Sequence, residues 1–195
     1  MRHADGVKLN ARAPLTERSV RITPGLSCPP RITVTAEDFD PGGGGYDVTL
    51  GVSFSGGRYV CDRLTLARRP GGPPVTGEAV RAVPVARLLR WGVRHLLMEV
   101  VERGPDGSLI AEPLGDMPAD LAERGPTEIS LRWVARIYAE AVACGDPPTA
   151  AVEKTLRLPR STAGRWVSAA RDRGYLGPTT PGKIGGTEST PHGEH

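Results

Sequence analysis

The residue types that most often carry out catalysis are few in this sequence and do not form a recognised pattern. The cysteines Cys28, Cys61 and Cys144 are widely spaced, and no histidine stands near them in sequence as an activating base. Asp38 and Asp40 are close together but likewise have no histidine partner. The sequence also contains no nucleophile elbow and no phosphate-binding loop. We therefore expect no catalytic residue, no cofactor and no metal site, and the protein is not predicted to be an enzyme.

Two further segments have only a superficial likeness to ligand sites. The glycines at residues 42–45 suggest a phosphate-cradling loop, but no Lys-Ser or Lys-Thr pair follows them, so a hairpin connection is predicted. His192, Glu194 and His195 lie in a tail rich in Gly, Thr and Pro, and this composition predicts disorder.

The excess of positive charge lies near the C-terminus. Residues 1–129 contain 16 basic and 16 acidic residues, whereas residues 130–176 contain eight basic and four acidic ones. A local net charge of +4 attracts polyanions, because binding releases their condensed counterions. Nucleic acid is therefore a candidate partner, and an ordinary solvated face is the alternative.

The composition also excludes several classes of protein. No apolar run approaches the roughly 18–20 residues of a membrane span, and the first ten residues lack the apolar region of a secretory signal. Three distant cysteines fit a reducing compartment better than a disulfide framework. We expect a cytoplasmic protein that has no contact with membranes.

The hydrophobic pattern predicts an α+β fold class, with a small antiparallel sheet and a covering helix linked to a C-terminal all-α trihelical helix-turn-helix. Alternating runs at residues 31–35, 46–55 and 58–67 predict the strands, and helical spacing over residues 85–100 predicts the covering helix. The predicted segments are an irregular arm at 1–30, an α+β domain of unknown role at 31–102, a linker at 103–128, the helix-turn-helix domain at 129–177 and a disordered tail at 178–195.

The C-terminal domain is predicted to contain three helices. The first spans residues 130–144, the second spans residues 150–156 with Thr149 as its N-cap, and the third starts at residue 159 or 160 and ends near 173. A tight turn joins the second and third helices, which is the arrangement of a helix-turn-helix.

The third helix has the two faces that a DNA-recognition helix requires. One face is apolar, and the other carries small and basic residues that can enter the major groove and contact guanine edges or phosphates. The free N–H groups at the start of the helix can also contact a phosphate. The inward residues are Ala163, Trp166, Val167 and Ala170, and the outward residues are Arg160, Thr162, Gly164, Arg165, Ser168, Arg171 and Asp172.

Residues 147–177 resemble the helix-turn-helix of many actinobacterial and actinophage DNA-binding proteins, which is homeodomain-like in fold. The resemblance implies that the third helix binds double-stranded DNA through Arg160, Ser161, Thr162 and Arg165, and that the chain is actinobacterial. The matching residues are Pro147, Pro148, Thr149, Ala151, Val152, Arg160, Ser161, Thr162, Ala163, Arg165, Trp166, Val167, Ala170, Arg171, Gly174, Leu176 and Gly177.

Three positions depart from that motif. Glu153 replaces a small residue between the helices, Arg157 replaces the turn glycine, and Pro159 replaces the serine that caps the recognition helix.

The sequence thus favours a transcriptional regulator that binds DNA as a homodimer, because one small unit makes few contacts. The domain at residues 31–102 is the candidate for dimerisation, effector binding or partner binding. The competing hypothesis is a non-enzymatic adaptor in which this domain binds a protein partner through a strand edge. The candidate DNA contacts are Arg157, Arg160, Ser161, Thr162, Gly164, Arg165, Ser168 and Arg171.

Overall fold

A computed structural model describes residues 7–14, 19–40, 45–103, 109–113 and 115–177. These residues form two compact units: one contains the described residues up to Ser19 together with Cys28–Leu97 and Ala143–Gly145, and the other contains Val20–Ser27, Met98–Val142 and the described residues from Asp146 onward. The strands are β1 (Lys8–Arg12), β2 (Val20–Thr23), β3 (Leu26–Cys28), β4 (Arg31–Phe39), β5 (Tyr46–Ser55), β6 (Arg58–Arg68), β7 (Met98–Arg103) and β8 (Leu109–Pro113). The helices are α1 (Gly77–Arg81), α2 (Val85–Leu96), α3 (Glu128–Cys144), α4 (Pro148–Leu156) and α5 (Arg160–Asp172).

The N-terminal sheet is antiparallel, with the strand order β1-β4-β5-β6. Alternate residues of β4 and β5, such as Val34 and Leu50, are buried because every second side chain of a strand points to the same face. Helix α2 packs against this sheet and buries Leu88 and Val93. The predicted antiparallel sheet with a covering helix is therefore confirmed.

Gly92 determines how closely α2 approaches β4. A Cβ atom at this position would overlap Cγ2 of the buried Val34. Glycine in a helix interior costs about 0.5–1 kcal/mol relative to alanine, so close packing must offset that cost here.

The sequence does not predict the second sheet, which has the order β2-β3-β7-β8. Strand β7 is antiparallel to β3 and to β8. The covering helix predicted over residues 85–100 accordingly ends at Leu96, and the next residues form β7. Apolar residues in a short run fit helical and strand periods equally well, which explains the error.

The irregular arm predicted at residues 1–30 is corrected where the structure describes it. Strand β1 pairs with β4 in full register from Lys8↔Glu37 to Arg12↔Thr33, and β2 and β3 belong to the second sheet. The sequence did contain a signal for β1, because Val7, Leu9 and Ala11 alternate with polar residues. Residues 1–6 and 15–18 lie outside the described part of the chain.

The linker predicted at residues 103–128 also contains ordered structure. Strand β8 pairs with β7, and Leu121 is buried in the core of the C-terminal helices. The Oγ atom of Ser130 donates a hydrogen bond to the carbonyl oxygen of Leu121 at 3.3 Å. The segment before α3 is therefore part of the helical core. The expected tail at 178–195 and the glycines before Gly45 lie outside the described residues.

Helices α3, α4 and α5 share one hydrophobic core, which confirms the predicted trihelical C-terminal region. The Oγ1 atom of Thr127 accepts a hydrogen bond from the backbone N–H of Ser130 at 3.3 Å and so satisfies a free donor at the start of α3. Gly145 follows the end of α3 with φ +76°, as predicted for a terminating glycine. Helix α4 begins at Pro148, so Thr149 lies inside the helix and is not its N-cap.

Candidate nucleic-acid interface

A turn of three residues joins α4 to α5. Its first residue, Arg157, has φ 51° and ψ 37°, the left-handed conformation that glycine adopts most easily. The backbone N–H groups of Arg157 and Leu158 both donate to the carbonyl oxygen of Glu153, and the second bond measures 3.0 Å. Pro159 precedes α5 with an extended backbone and supplies no side-chain cap. The turn therefore has the shape that the motif requires, although its residues differ.

The apolar face of α5 is buried as the sequence predicts. Ala163, Trp166, Val167 and Ala170 are all buried in the core that α5 shares with α3 and α4. Leu176, beyond the end of α5, is buried in the same core. Full burial of a large apolar side chain contributes about 1.5–3 kcal/mol, so these contacts hold α5 in one orientation.

The opposite face of α5 is exposed and carries most of the candidate DNA contacts. Ser161, Arg165 and Ser168 recur at intervals of four and three residues, so they form one stripe opposite the buried face. Arg160 is also exposed, at the first turn of the helix. The exposed candidate contacts are Arg157, Arg160, Ser161, Arg165 and Ser168, and the half-buried ones are Thr162, Gly164 and Arg171.

The positive charge of this face is not neutralised by ion pairs. Among the residues that the structure describes, no carboxylate forms a salt bridge with Arg157, Arg160 or Arg165. The Nη2 atom of Arg165 donates to Oγ1 of Thr162 at 3.2 Å, a bond between neutral and charged groups that leaves the charge in place. The N-terminal half of α5 therefore presents an unopposed cationic surface.

Arg171 is placed differently from the other candidates. It is half-buried, and its guanidinium carbon lies 5.8 Å from the centre of the Tyr138 ring on α3. Its Nε atom is buried and has no hydrogen-bond partner among the described groups. This side chain therefore packs between α5 and α3 through its stem and a cation–π contact.

The arginines of α3 are engaged in local contacts. Arg132 forms a salt bridge with Glu128 at 2.9 Å and lies over the ring of Tyr175 at 5.3 Å. Arg136 lies 4.6 Å from the ring centre of Trp133. The positive charge available to a polyanion on the trihelical region therefore comes chiefly from α5 and the turn that precedes it.

Cys28 and Tyr59 of the N-terminal unit are buried in structural contacts. Cys28 is fully buried, and desolvation raises the pKa of its thiol from 9.0 to about 11. The Tyr59 hydroxyl donates to the carbonyl oxygen of Pro29 at 2.6 Å, and burial raises the pKa of this phenol as well. A thiol that stays protonated at neutral pH is a poor nucleophile.

The carboxylate of Asp38 forms a salt bridge with the guanidinium of Arg69 at 2.8 Å. The carboxylate of Asp47 lies 3.8 Å from the same guanidinium. Asp38 has φ 62° and lies at an irregularity in the β4–β5 register. Over the described ranges, no group of three or more His, Cys, Asp and Glu residues is placed to hold a metal ion.

The N-terminal sheet has two edge strands, β1 and β6, and the charges and irregularity of β6 bear on pairing with a protein partner. The β5–β6 register shifts between Gly51 and Val52, which leaves Asp62 without a partner on β5. Exposed charged residues on β6 include Arg58, Asp62 and Arg63. Bulges and charges on an edge strand disfavour pairing with another strand, so the β6 edge is a poor docking site.

No helix in the described part of the chain has the length and apolarity that a membrane crossing requires. No family model, no curated protein and no solved structure matches the chain significantly. The likeness to actinobacterial helix-turn-helix proteins therefore depends on the motif residues themselves.

Proposed function

We propose that this protein is a DNA-binding transcriptional regulator whose helix α5 docks in the major groove. The observation that supports the proposal is that α5 has a buried apolar face and an exposed basic face. Trp166 and its apolar neighbours fix the helix on its core, while Arg160 and Arg165 are exposed on the other side and form no salt bridge with a described carboxylate. Arginine is the residue that most often reads guanine and also contacts phosphate through its planar fork.

The position of each residue on α5 or in the preceding turn indicates which part of the duplex it contacts. Arg160 and Ser161 lie in the first turn of α5, where the helix N-terminus favours a phosphate. Arg165 and Ser168 lie further along the same exposed stripe and reach base edges. Arg157 lies in the turn and contacts the backbone of the duplex. Thr162 and Gly164 are small enough to let α5 approach the groove closely.

A homodimer would give such a small unit useful specificity, because two recognition helices read half-sites one helical turn apart. The domain predicted at residues 31–102 remains the candidate for this association. Analytical ultracentrifugation of the full chain, with and without DNA, measures the oligomeric state directly.

The test is fluorescence anisotropy of the full chain with genomic DNA fragments over a salt series, compared with the Arg160→Ala/Arg165→Ala double variant. Each phosphate contact contributes about −0.9 to the slope of log affinity against log salt concentration. We expect a steep slope that flattens in the double variant. Binding no tighter than the non-specific range of about 10⁻⁴–10⁻⁶ M in both proteins contradicts a sequence-specific regulator.

A further inference from the structure

Helix α2 carries a second concentration of positive charge. Helix α2 contains three arginines and no Asp or Glu, although the first 129 residues are neutral as a whole. Helices α1, α3, α4 and α5 each contain at least one acid, whereas α2 contains none. The charge of α2 is therefore not balanced within the helix.

The arginines of α2 lie on one face. Leu88, Leu89 and Val93 are buried, and Arg87, Arg90 and Arg94 are exposed. These arginines stand at positions i, i+3 and i+7, which places them along one stripe opposite the buried face. With a rise of about 1.5 Å per residue, the stripe extends for about 10 Å along the helix.

We infer that this α2 stripe, formed by Arg87, Arg90 and Arg94, is a second contact for the phosphate backbone of double-stranded DNA. One strand of a duplex carries a phosphate for about every 3.4 Å of its axis, so a stripe of about 10 Å matches about three phosphates. Guanidinium groups bind phosphates bidentately, and long arginine stems adapt to the curvature of the backbone.

The same geometry argues against a lipid surface as the occupant. A basic amphipathic helix binds a membrane by inserting its apolar face between lipid headgroups. The apolar residues of α2, Leu88, Leu89 and Val93, are already buried, and the helix packs on the N-terminal sheet. The face that remains accessible is cationic, which suits a polyanionic backbone.

This inference rests on the proposed function for the identity of the polyanion, and it assigns to α2 an affinity role without sequence preference. Contacts to phosphate position a protein on the duplex, whereas contacts to base edges specify the sequence. The full chain should therefore bind any duplex with a salt dependence larger than α5 alone produces.

The experiment measures the affinity of the full chain for a random-sequence DNA duplex between about 50 and 200 mM salt. The test variant is Arg90→Gln/Arg94→Gln. The matched control is Arg12→Gln/Arg63→Gln, which removes the same net charge from exposed arginines of the N-terminal sheet. Circular dichroism and thermal unfolding check that both variants fold.

We expect the α2 variant to reduce the magnitude of the salt slope by about 1.8, which corresponds to two lost phosphate contacts, and the control to leave the slope nearly unchanged. The Arg90→Lys/Arg94→Lys variant should restore most of the slope, since lysine still contacts phosphate. Equal slopes in the test and control variants overturn the inference, because the effect is then one of net charge alone.

The Arg160→Ala/Arg165→Ala variant separates this inference from the proposed function. Loss of sequence preference in that variant, with an unchanged slope in the α2 variant, supports the role of α5 and rejects that of α2. A slope that falls in the α2 variant alone supports the α2 stripe and rejects α5 as the recognition helix. If the α2 variant instead lowers retention on anionic lipid vesicles and leaves DNA binding intact, the assigned partner is wrong.

Discussion

The guanidinium carbon of Arg171 lies 5.8 Å from the ring centre of Tyr138, and this contact joins α5 to α3. The two side chains meet on the flank of α5 that borders its buried face, so Arg171 is half-buried while Arg165 is exposed. Two arginines on one helix therefore have different surroundings: Arg171 packs towards α3, and Arg165 is exposed to solvent.

Replacement of Arg171 should affect stability more than DNA binding. We expect Arg171→Ala to lower the free energy of unfolding by about 1 kcal/mol, through loss of the cation–π contact and of stem packing. Arg165→Ala should leave stability within about 0.5 kcal/mol and reduce the salt slope by about 0.9. Urea unfolding and anisotropy measure the two quantities. A larger loss of slope in Arg171→Ala than in Arg165→Ala contradicts this division.

A second prediction concerns the backbone conformation of Arg157. Its left-handed conformation, φ 51°, costs a non-glycine residue about 1 kcal/mol or more. We expect Arg157→Gly to raise the stability of the full chain by about 0.5–1 kcal/mol, as measured by the urea midpoint.

Two controls isolate the backbone effect at this turn. Arg157→Ala removes the same charge but keeps the conformational cost, so it should bring no gain. Arg173→Gly alters a C-cap residue with φ −83°, where glycine has no advantage. A gain in Arg157→Ala equal to that in Arg157→Gly assigns the effect to charge.

Two helical glycines should respond to alanine in opposite directions. At Gly92 a methyl group meets the buried Val34, so Gly92→Ala should destabilise the protein by about 1–3 kcal/mol through overpacking. At Gly164 nothing lies within 4 Å of the added atom, so Gly164→Ala should stabilise α5 by about 0.5–1 kcal/mol.

Thermal unfolding of the two glycine variants tests this contrast. Gly164→Ala should also weaken DNA binding, if α5 approaches the groove as closely as we propose. Unchanged affinity in that variant removes Gly164 from the interface without affecting the arginine contacts.

Because the thiol of Cys28 is buried, we expect the folded protein to lose stability at alkaline pH. The pKa of Cys28 is about 11 in the folded protein, raised from 9.0 by burial. As the pH rises, the thiol of the unfolded chain thus ionises before that of the folded protein. The contribution of Cys28 to the free energy of unfolding is therefore complete below pH 9.0 and is lost as the pH rises towards about 11. Each pH unit in this window removes up to about 1.4 kcal/mol. Tyr59 acts in the same direction at higher pH, because burial also raises its pKa.

Urea unfolding between pH 8 and 10, chosen as roughly the window where the unfolded thiol titrates, measures this alkaline loss. Cys28→Ala should flatten the decline, and Cys61→Ala, which removes a half-exposed thiol, should retain it. A decline of the same size in Cys28→Ala shows that another group titrates.

Local sequence patterns were sufficient to predict the trihelical region. The helices α3, α4 and α5 start and stop within a few residues of their predicted positions, because Gly145 and Gly174 are left-handed terminators and the apolar spacing is regular. The buried residues of α5 follow from the same periodicity. These signals are local, so one sequence contains them in full.

The second sheet required the tertiary structure. Strand β7 pairs with β3, which lies about seventy residues earlier in the chain, and no local pattern encodes so distant a partner. The α2 stripe, in contrast, follows from helical spacing, which places Arg87, Arg90 and Arg94 opposite the apolar residues.

The amino-acid sequence by itself determined the faces of the helices and the residues that α5 exposes, because helical periodicity is a property of neighbouring residues. Only the tertiary structure decided which arginines are exposed: Arg165 lies in solvent, and Arg171 packs towards Tyr138. The physical reason is that the two residues lie on different sides of α5, and only the side of Arg171 faces α3. Which side of α5 faces α3 is set when the helices pack together.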